Sequence, residues 1–349
     1  MTGRALRPKS VAIVDDSRTM RAWLRLVLEA DPRLHVVAEA GDALAAREVV
    51  KSMPVDVLTL DVAMPGMDGL EFLDRLMRAR PMPVVMMSSL TSRGSDAAIR
   101  ALSLGAVDCM VKPARGFDAD LARDICDRVV AAARTQPRIS RPRQPLGAMT
   151  TGGHRAGALI VIGASTGGVA ALETVLPQLD PKGPPVVIVQ HMPGNFLESF
   201  SKRLNRDLPQ SVGLAADGAV LQDGDIMLAP SDGAHTEVVQ TTRGWVIRHR
   251  PPRGKPLHVP SVDALFSSAA RAGGDVIAAV LTGLGRDGAK GVVELAQSGA
   301  IALTQDEGSS VVYGMPRAAF ETGAVRAQVP LDKMGAALRA SCIGKRARC

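Results

Sequence analysis

Short apolar runs alternate with helical patterns along most of this chain, and the alternation is interrupted once. In the first part, five apolar runs are separated by segments in which apolar residues recur at helical spacing. Alternation of this kind predicts a parallel, doubly wound sheet with helices on both faces. The predicted strands are 11–14, 36–38, 55–60, 84–87 and 107–111, and the predicted helices are 18–30, 42–52, 69–79, 95–104 and 118–133.

The interruption lies at residues 135–157, which are rich in Arg, Pro, Gly and Thr and show no apolar periodicity. Such a segment is typical of a flexible linker. A chain of 349 residues is also too long for one ordinary hydrophobic core. We therefore predict two domains, at residues 10–134 and 158–343.

The positive charge is concentrated outside both predicted domains. The formal net charge is +7, and the segment 134–157 carries five arginines and no acidic residue, while the tail "GKRARC" adds three basic residues. The rest of the chain is close to neutral. With aromatic residues at only 3% and no basic recognition helix, the sequence predicts no nucleic-acid partner.

Other sequence features favour a cytoplasmic protein. No apolar run approaches the roughly 20 residues that span a bilayer, so we expect no membrane insertion. The first ten residues lack the apolar core of a secretory signal. The cysteines show no metal-ligand spacing and are typical of reduced thiols: Cys109, Cys126, Cys342 and Cys349.

Polar residues follow four of the five predicted strands in the first domain. Asp15 and Asp16 follow the first strand, Asp61 the third, Ser88 the fourth and Lys112 the fifth. Because the carboxyl ends of parallel strands share one edge, the three carboxylates would repel one another without a cation. Mg²⁺ together with the lysine would relieve this repulsion and favour transfer of a phosphoryl group to a carboxylate. Taken one at a time, such acids are more typical of helix caps.

The motifs "VAIVDDSRTMR", "LTLDVAMPGMDGLEFL", "VVMMSSL" and "CMVKP" occur here in order. Over residues 10–134 the chain resembles a response-regulator receiver domain, which implies a flavodoxin-like (βα)5 fold phosphorylated by a histidine kinase. The resemblance implies that Asp61 accepts the phosphoryl group. It also implies Mg²⁺ ligands from Asp15, Asp16, Asp61 and the Ala63 backbone, with phosphoryl contacts from Ser88 and Lys112. Cys109 departs from the family, because receiver domains usually carry Phe or Tyr at this switch position.

The second domain begins another strand–helix series. Strands are predicted at 158–162, 186–190, 225–229, 275–281 and 300–304, with short strands and turns around 212–250, which indicates a second, mostly parallel α/β domain. Its first strand ends in the turn "GASTGG", residues 163–168.

Four interpretations of this turn compete. A phosphate-binding loop of the Walker type requires a lysine that is missing after Gly168. A dinucleotide-binding turn requires a glycine where Ser165 stands, and an acid where the second strand ends in Gln190 and His191. A tight turn without chemistry stays possible. The fourth interpretation is a nucleophile turn, since Gly163 to Gly167 matches G-x-S-x-G.

Two further strand ends favour the nucleophile. His191 ends the next strand and would serve as a base for Ser165, while Asp287, in the glycine-rich turn after a later strand, would orient the imidazole. Asp287 could instead cap the helix that follows it. His258, before another helix, could line the same pocket or be an ordinary histidine of the helix start.

The motifs "IGASTGG", "QHMP", "LAP", "HVPSVDALF" and "LTGLGRDGA" resemble the catalytic domain of the chemotaxis protein-glutamate methylesterases, the CheB family. The resemblance implies a hydrolase-type α/β domain with Ser165 as nucleophile, His191 as base and Asp287 as orienting acid. It implies oxyanion donors from the Thr166 and Leu284 backbone, with no cofactor at the esterase site.

The same resemblance implies a function. The enzyme would hydrolyse glutamyl methyl esters on chemotaxis receptors, releasing methanol, and would deamidate particular glutamines. We hypothesise that the unphosphorylated receiver blocks this site. Two alternatives stay open from the residues alone: a regulated hydrolase with another acyl substrate, and a non-catalytic protein that binds a partner.

Overall fold

A computed structural model describes residues 7–89, 91–113, 119–135 and 154–343. Most of the predicted linker and the basic tail lie outside these residues. The chain divides into two compact units, residues 1–141 and 142–349, and each is described by itself. No helix in the described ranges has the length and apolar character needed to cross a membrane.

The first unit is a five-stranded parallel sheet in the order β2-β1-β3-β4-β5. The strand interiors are buried on both faces, as expected for a sheet covered by helices on each side. The strands are β1 (Lys9–Val14), β2 (Leu34–Ala40), β3 (Val57–Asp61), β4 (Val84–Ser88) and β5 (Asp108–Val111); the helices are α1 (Arg18–Glu29), α2 (Ala43–Ser52), α3 (Gly69–Ala79), α4 (Ser92–Ser103) and α5 (Ala119–Ala132).

All ten predicted elements of this unit are present, and they differ from the prediction mainly at their ends. The largest difference is at α4, which was expected to begin at residue 95 and begins at Ser92. The reason is a helix cap, because the Thr91 hydroxyl accepts the Gly94 N–H at 3.0 Å. Three other helices begin at side-chain caps of the same kind, from Ser17, Asp42 and Asp68.

Residues 154–343, the described part of the second unit, contain nine strands. They are β6 (Leu159–Ala164), β7 (Val186–Gln190), β8 (Ser211–Leu214), β9 (Asp225–Leu228), β10 (His235–Thr241), β11 (Gly244–Arg250), β12 (Val276–Val280), β13 (Ile301–Gln305) and β14 (Ala327–Val329). The helices are α6 (Gly168–Val175), α7 (Gly194–Asp207), α8 (Val262–Ala272), α9 (Ala289–Gln297), α10 (Met315–Phe320) and α11 (Leu331–Ile343).

Seven of these strands form one parallel sheet in the order β14-β13-β12-β6-β7-β9-β8. The region expected to contain short strands supplies β8 and β9 to this sheet and folds β10 and β11 into a separate antiparallel hairpin. The hairpin packs on α8, and Val238, Ile247 and Phe266 join the central core. The predicted α/β architecture is confirmed in both units.

Each parallel sheet has a position at which the chain leaves neighbouring strands towards opposite sides. In the first unit, the chain leaves β1 towards β2 and leaves β3 towards β4, on opposite sides. In the second unit, it leaves β6 towards β7 and β12 towards β13. Crevices at such positions are the usual ligand sites of open α/β sheets. The candidate residues should therefore be sought at the carboxyl ends of β1 and β3, and of β6 and β12.

Candidate active site

Ser165 follows β6 directly and lies in a turn that only small residues can form. A Cβ atom on Gly168 would lie 2.9 Å from the Cβ of Ala164, closer than real side chains approach. Gly167 has φ +79°, a left-handed conformation that favours glycine. The glycines of "GASTGG" therefore permit the sharp passage from strand to helix and leave Ser165 beside the start of α6.

His191 follows β7, the neighbour of β6, and lies next to Ser165 along the edge of the sheet. The last pair of the two strands is Ala164 with Gln190, and the His191 N–H donates to the Ala164 carbonyl at 3.0 Å. The buried Gln190 side chain links the two strand ends, because its Nε2 donates to the carbonyls of Ser165 (2.9 Å) and His191 (3.1 Å). The nucleophile and base candidates are thus held on adjacent strand ends.

Asp287 reaches the same place from the turn after β12, on the other side of β6. Its Oδ2 lies 2.9 Å from Nε2 of His191, and both side chains are only 7% exposed. The alternative role as a cap of the following helix is wrong, since α9 begins after Gly288 without a side-chain cap. The carboxylate instead accepts N–H groups at the start of α8, from Val262 (2.8 Å) and Asp263 (2.9 Å).

These contacts determine the charge of Asp287. Burial by itself would raise the pKa of this carboxyl. The hydrogen bond from His191 and the two backbone N–H groups lower the pKa by more than burial raises it, so the pKa lies below the ordinary value. Asp287 is therefore ionised across the physiological range, as an acid that orients an imidazole must be.

The second ring nitrogen of His191 is left without a partner. Nδ1 is buried and has no hydrogen bond within the described part of the chain, so Ser165 Oγ does not donate to it in this structure. Catalytic hydrogen bonds often tighten only when substrate binds, and Nδ1 is the ring nitrogen that has no other partner here. The ring of His258 stacks on that of His191, with centroids 4.2 Å apart and planes inclined by 20°. His258 therefore lies at the site, which the sequence had left open.

The two expected oxyanion donors belong to turns that adjoin Ser165. Thr166 is the next residue, and Leu284 follows Gly283, which packs so closely on Ser165 that an added Cβ would lie 2.8 Å from the serine Cβ. The Leu284 N–H has no hydrogen-bond partner among the described residues. Thr282 joins the two turns, since its hydroxyl donates to the Thr166 carbonyl at 2.9 Å.

The acidic cluster of the first unit also comes together. Carboxylate oxygens of Asp15, Asp16 and Asp61 lie within 4.8 Å of one another, and this all-oxygen donor set suits Mg²⁺. Lys112 Nζ lies 2.7 Å from Asp15 Oδ2 and 2.8 Å from Asp61 Oδ2. Asp15 and Asp61 thus share one lysine, and Asp16 adds a third carboxylate to the cluster.

The surroundings of Asp61 act on its charge in opposite directions. Burial raises its pKa, Lys112 lowers it, and the nearby Asp15 raises it again, so that the pKa lies above the usual value. For Lys112, burial lowers the pKa, but its bonds to the two carboxylates outweigh this and raise it. A second cation in this cluster would therefore favour the ionised form of Asp61.

The remaining residues predicted for the receiver site differ in whether they could contact a phosphoryl group without moving. Ala63 is exposed beside the cluster, and its N–H donates to Asp61 Oδ1 at 3.2 Å. The Ser88 hydroxyl is fully buried and donates to the Gly94 carbonyl at 3.0 Å, so it must turn to reach a phosphoryl group. Cys109 is 4% exposed and burial raises the pKa of its thiol, so a buried, un-ionised side chain stands at the switch position.

Comparison with known proteins decides the family. Residues 160–338 match the family model described as CheB methylesterase, and residues 11–120 match the response regulator receiver domain. The chain belongs to the CheB methylesterase family. Both resemblances drawn from sequence motifs are therefore confirmed.

Relatives of this CheB-family chain share both units. The chain is 47% identical to a protein-glutamate methylesterase/protein-glutamine glutaminase of Agrobacterium fabrum, over 93% of this chain and 94% of the relative. It is also 47% identical to a similarly named protein of Caulobacter vibrioides, over 93% and 95%. Among solved structures, the CheB methylesterase catalytic domain of Thermotoga maritima matches 53% of this chain and 99% of its own, with 30% identity and a TM-score of 0.51.

Several residues that support this CheB-family site were missed by the sequence analysis. Ser261 caps α8, and its hydroxyl donates to Asp287 Oδ1 at 2.9 Å, while its own N–H donates to His235 Nδ1 at 3.1 Å. Gln190 and Gly283 were visible in the motifs, but no local pattern indicates a bond between strand ends or a close approach of two turns. These roles depend on partners far away in the chain.

Proposed function

We propose that this protein is a phosphorylation-regulated serine hydrolase that demethylates glutamyl methyl esters on chemotaxis receptors, releases methanol and deamidates specific receptor glutamines. The observation that carries the proposal is the bond between His191 and Asp287 at the sheet edge where Ser165 lies. The names of the relatives, which join methylesterase and glutaminase activities, support the substrate class.

The chemistry follows from the roles of three side chains. Ser165 attacks the ester carbonyl as His191 Nδ1 takes its proton, and the ionised Asp287 holds Nε2–H and stabilises the imidazolium. The tetrahedral oxyanion accepts the backbone N–H groups of Thr166 and Leu284. The imidazolium then protonates the leaving methoxide, and methanol departs.

The second half repeats these roles with water. His191 Nδ1 removes a proton from water, the resulting hydroxide attacks the acyl-enzyme, and Ser165 leaves with the proton returned from the imidazolium. With a glutamine substrate, ammonia takes the place of methanol, so one site accounts for both activities. Glutamate is the product in each case.

In the receiver unit we assign Asp61 as the phosphoacceptor and a histidine kinase as the phosphodonor. Asp15, Asp16 and Asp61, with the Ala63 carbonyl, would hold Mg²⁺, which when bound offsets charge on the transferred phosphoryl oxygens. Lys112 and the Ser88 hydroxyl contact those oxygens. We place the protein in the cytoplasm, where the kinase and the methylated receptor segments are found.

The deciding experiment measures methanol released from methylated receptor membranes, with and without a small phosphodonor. We expect the wild type to release methanol faster with the phosphodonor, Ser165→Ala to release none, and Asp61→Asn to keep a basal rate that the phosphodonor does not raise. Hydrolysis of generic esters without any methanol from receptor would indicate another acyl substrate. Full signalling by Ser165→Ala in cells would indicate a non-catalytic role.

A further inference from the structure

Residues 251–257, "PPRGKPL", form the loop between β11 and the segment that leads to α8; we name it the mouth loop. At its start, Arg250 lies opposite His235 in the β10–β11 ladder, and the His235 ring accepts the Ser261 N–H. At its end, His258 stacks on His191. The carboxyl end of the loop therefore lies next to the candidate active site, because Leu257 directly precedes His258 in the chain.

The mouth loop carries positive charge without internal compensation. Arg253 and Lys255 are exposed, and neither forms an ion pair with any described residue. These two are the charged side chains of residues 251–257, although the second predicted domain as a whole is close to neutral. The neighbouring Arg248 and Arg250 differ from them, because both interact with the carboxylate of Asp217. The charge is thus local to the mouth, and it favours an acidic partner.

The loop also exposes a large apolar side chain. Leu257 is 89% exposed, immediately before the histidine that stacks on His191. A single exposed leucine is ordinary on a protein surface, so exposure by itself indicates nothing. Its position next to His258, whose ring contacts that of His191, makes Leu257 a candidate contact for a protein segment that presents an ester to Ser165.

The mouth loop is stiffened by its sequence. Pro251, Pro252 and Pro256 restrict the backbone at three of its seven residues. A surface with few accessible conformations loses little entropy when a partner binds, which favours recognition of a macromolecule.

We propose that the mouth loop is the docking surface for the protein segment that bears the ester. Arg253 and Lys255 attract acidic side chains that flank the modified residue, and Leu257 packs against an apolar side chain of the same segment. The inference rests on the proposed function and names its specificity: the site prefers an ester within an acidic, partly apolar protein segment over a small free ester.

The test compares two substrates for the full-length protein activated with phosphodonor. Methanol release from methylated receptor membranes reports docking, and hydrolysis of p-nitrophenyl acetate reports the chemistry alone. The variants are Arg253→Glu/Lys255→Glu and Leu257→Ala. The matched control is Arg243→Glu, since Arg243 is an exposed arginine in the turn at the opposite end of the β10–β11 hairpin.

We expect the ratio of the two kcat/KM values, receptor over small ester, to fall about tenfold in the charge-reversal variant and several-fold in Leu257→Ala, through a higher KM for receptor. The ratio should not change in Arg243→Glu. Added salt should raise the wild-type KM for receptor more than that of the charge-reversal variant.

Three outcomes would overturn the proposal. The ratio could stay at its wild-type value in both loop variants, or fall equally in Arg243→Glu. The loop variants could instead raise the rate without phosphodonor while keeping the receptor KM, which would assign the loop to contact with another part of the chain. No methanol from wild type would remove the proposed function itself, and the docking proposal with it.

Discussion

The side-chain amide of Gln190 donates a hydrogen bond to the carbonyl of Ser165 across 2.9 Å, between two adjacent strand ends. The same Nε2 donates to the carbonyl of His191. One buried amide therefore holds the backbones of the proposed nucleophile and base at a constant spacing. Both donors of that amide are used, and they add to the alignment that the β6–β7 ladder and the bond from the His191 N–H to the Ala164 carbonyl supply.

Replacing Gln190 by Met should lower the catalytic rate by more than its effect on stability explains. Methionine keeps the volume but removes both hydrogen bonds, so we expect kcat for p-nitrophenyl acetate to fall about tenfold through a less exact alignment of Ser165 and His191. The measurement is kcat together with the free energy of unfolding in urea.

The matched control is Gln178→Met, at another buried glutamine whose Nε2 donates to a helix carbonyl, that of Thr174, at 2.7 Å. It should lose comparable stability, about 1 kcal/mol, and keep its kcat. Equal losses of kcat in the two variants would contradict a positioning role for Gln190.

Gly283→Ala should disable the site without changing any polar group. The added methyl group would overlap Met315 and lie 2.8 Å from the Cβ of Ser165, so the turn that carries Leu284 must move. We expect a loss of esterase activity of about a hundredfold, since misplacement by a fraction of an ångström to an ångström has effects of this size.

Gly213→Ala is the control for that substitution, because its added methyl group meets only Met227, at 3.9 Å, and its φ is negative. Activity should be retained there. A Gly283→Ala enzyme with wild-type kcat would show that the close approach is not needed for the oxyanion donors.

Ser261→Ala should weaken both α8 and the orientation of Asp287. The Ser261 hydroxyl accepts the Ala264 N–H as a helix cap and donates to Asp287 Oδ1. We expect a loss of about 1 kcal/mol in the free energy of unfolding, with a several-fold lower kcat. Asp42→Ala removes a cap from α2 in the other unit and should leave kcat unchanged. If Ser261→Ala loses stability but keeps its activity, then Ser261 caps the helix and does not position Asp287.

Asp287 should contribute fully to stability above its ordinary pKa and progressively less below it. Its pKa in the folded protein is lowered, so its stabilising effect is fully present above about pH 4 and is lost as the pH falls below that value. The difference in free energy of unfolding between wild type and Asp287→Asn should therefore be largest near pH 6 and shrink towards pH 3. Urea unfolding at a series of pH values measures it. If this difference in free energy of unfolding grows as the pH falls, the pKa of Asp287 is not lowered in the folded protein.

Mg²⁺ should stabilise the receiver unit through its carboxylate cluster. At ten times its dissociation constant, a bound ion adds about 1.4 kcal/mol to the free energy of unfolding. Thermal unfolding with and without MgCl₂ should show this shift in wild type and in Glu48→Gln, whose glutamate is exposed on α2, and a smaller one in Asp61→Asn. An equal shift in all three proteins would place the ion elsewhere.

Much of this protein was accessible from its sequence because the informative signals are local. Apolar runs, the glycines around Ser165 and the acids after β1 and β3 lie within a few residues of the features they predict. The end of α4 nearest Ser88 was misjudged because the Thr91 cap, although local, was not recognised. The mouth loop was missed because its charge is small beside that of the linker and tail.

The sequence by itself determined two α/β units, the family, and the side chains Ser165, His191, Asp287 and Asp61 as candidates, since strand periodicity and turn chemistry are properties of neighbouring residues. Only the tertiary structure decided that β12 lies beside β6, opposite β7, so that Asp287 meets His191 and accepts N–H groups at the start of α8 instead of capping α9. It also decided that Nε2 faces the acid and that the mouth loop borders the site. The reason is that strand order and hydrogen bonds between distant turns arise from packing of the whole sheet, which no short stretch of sequence encodes.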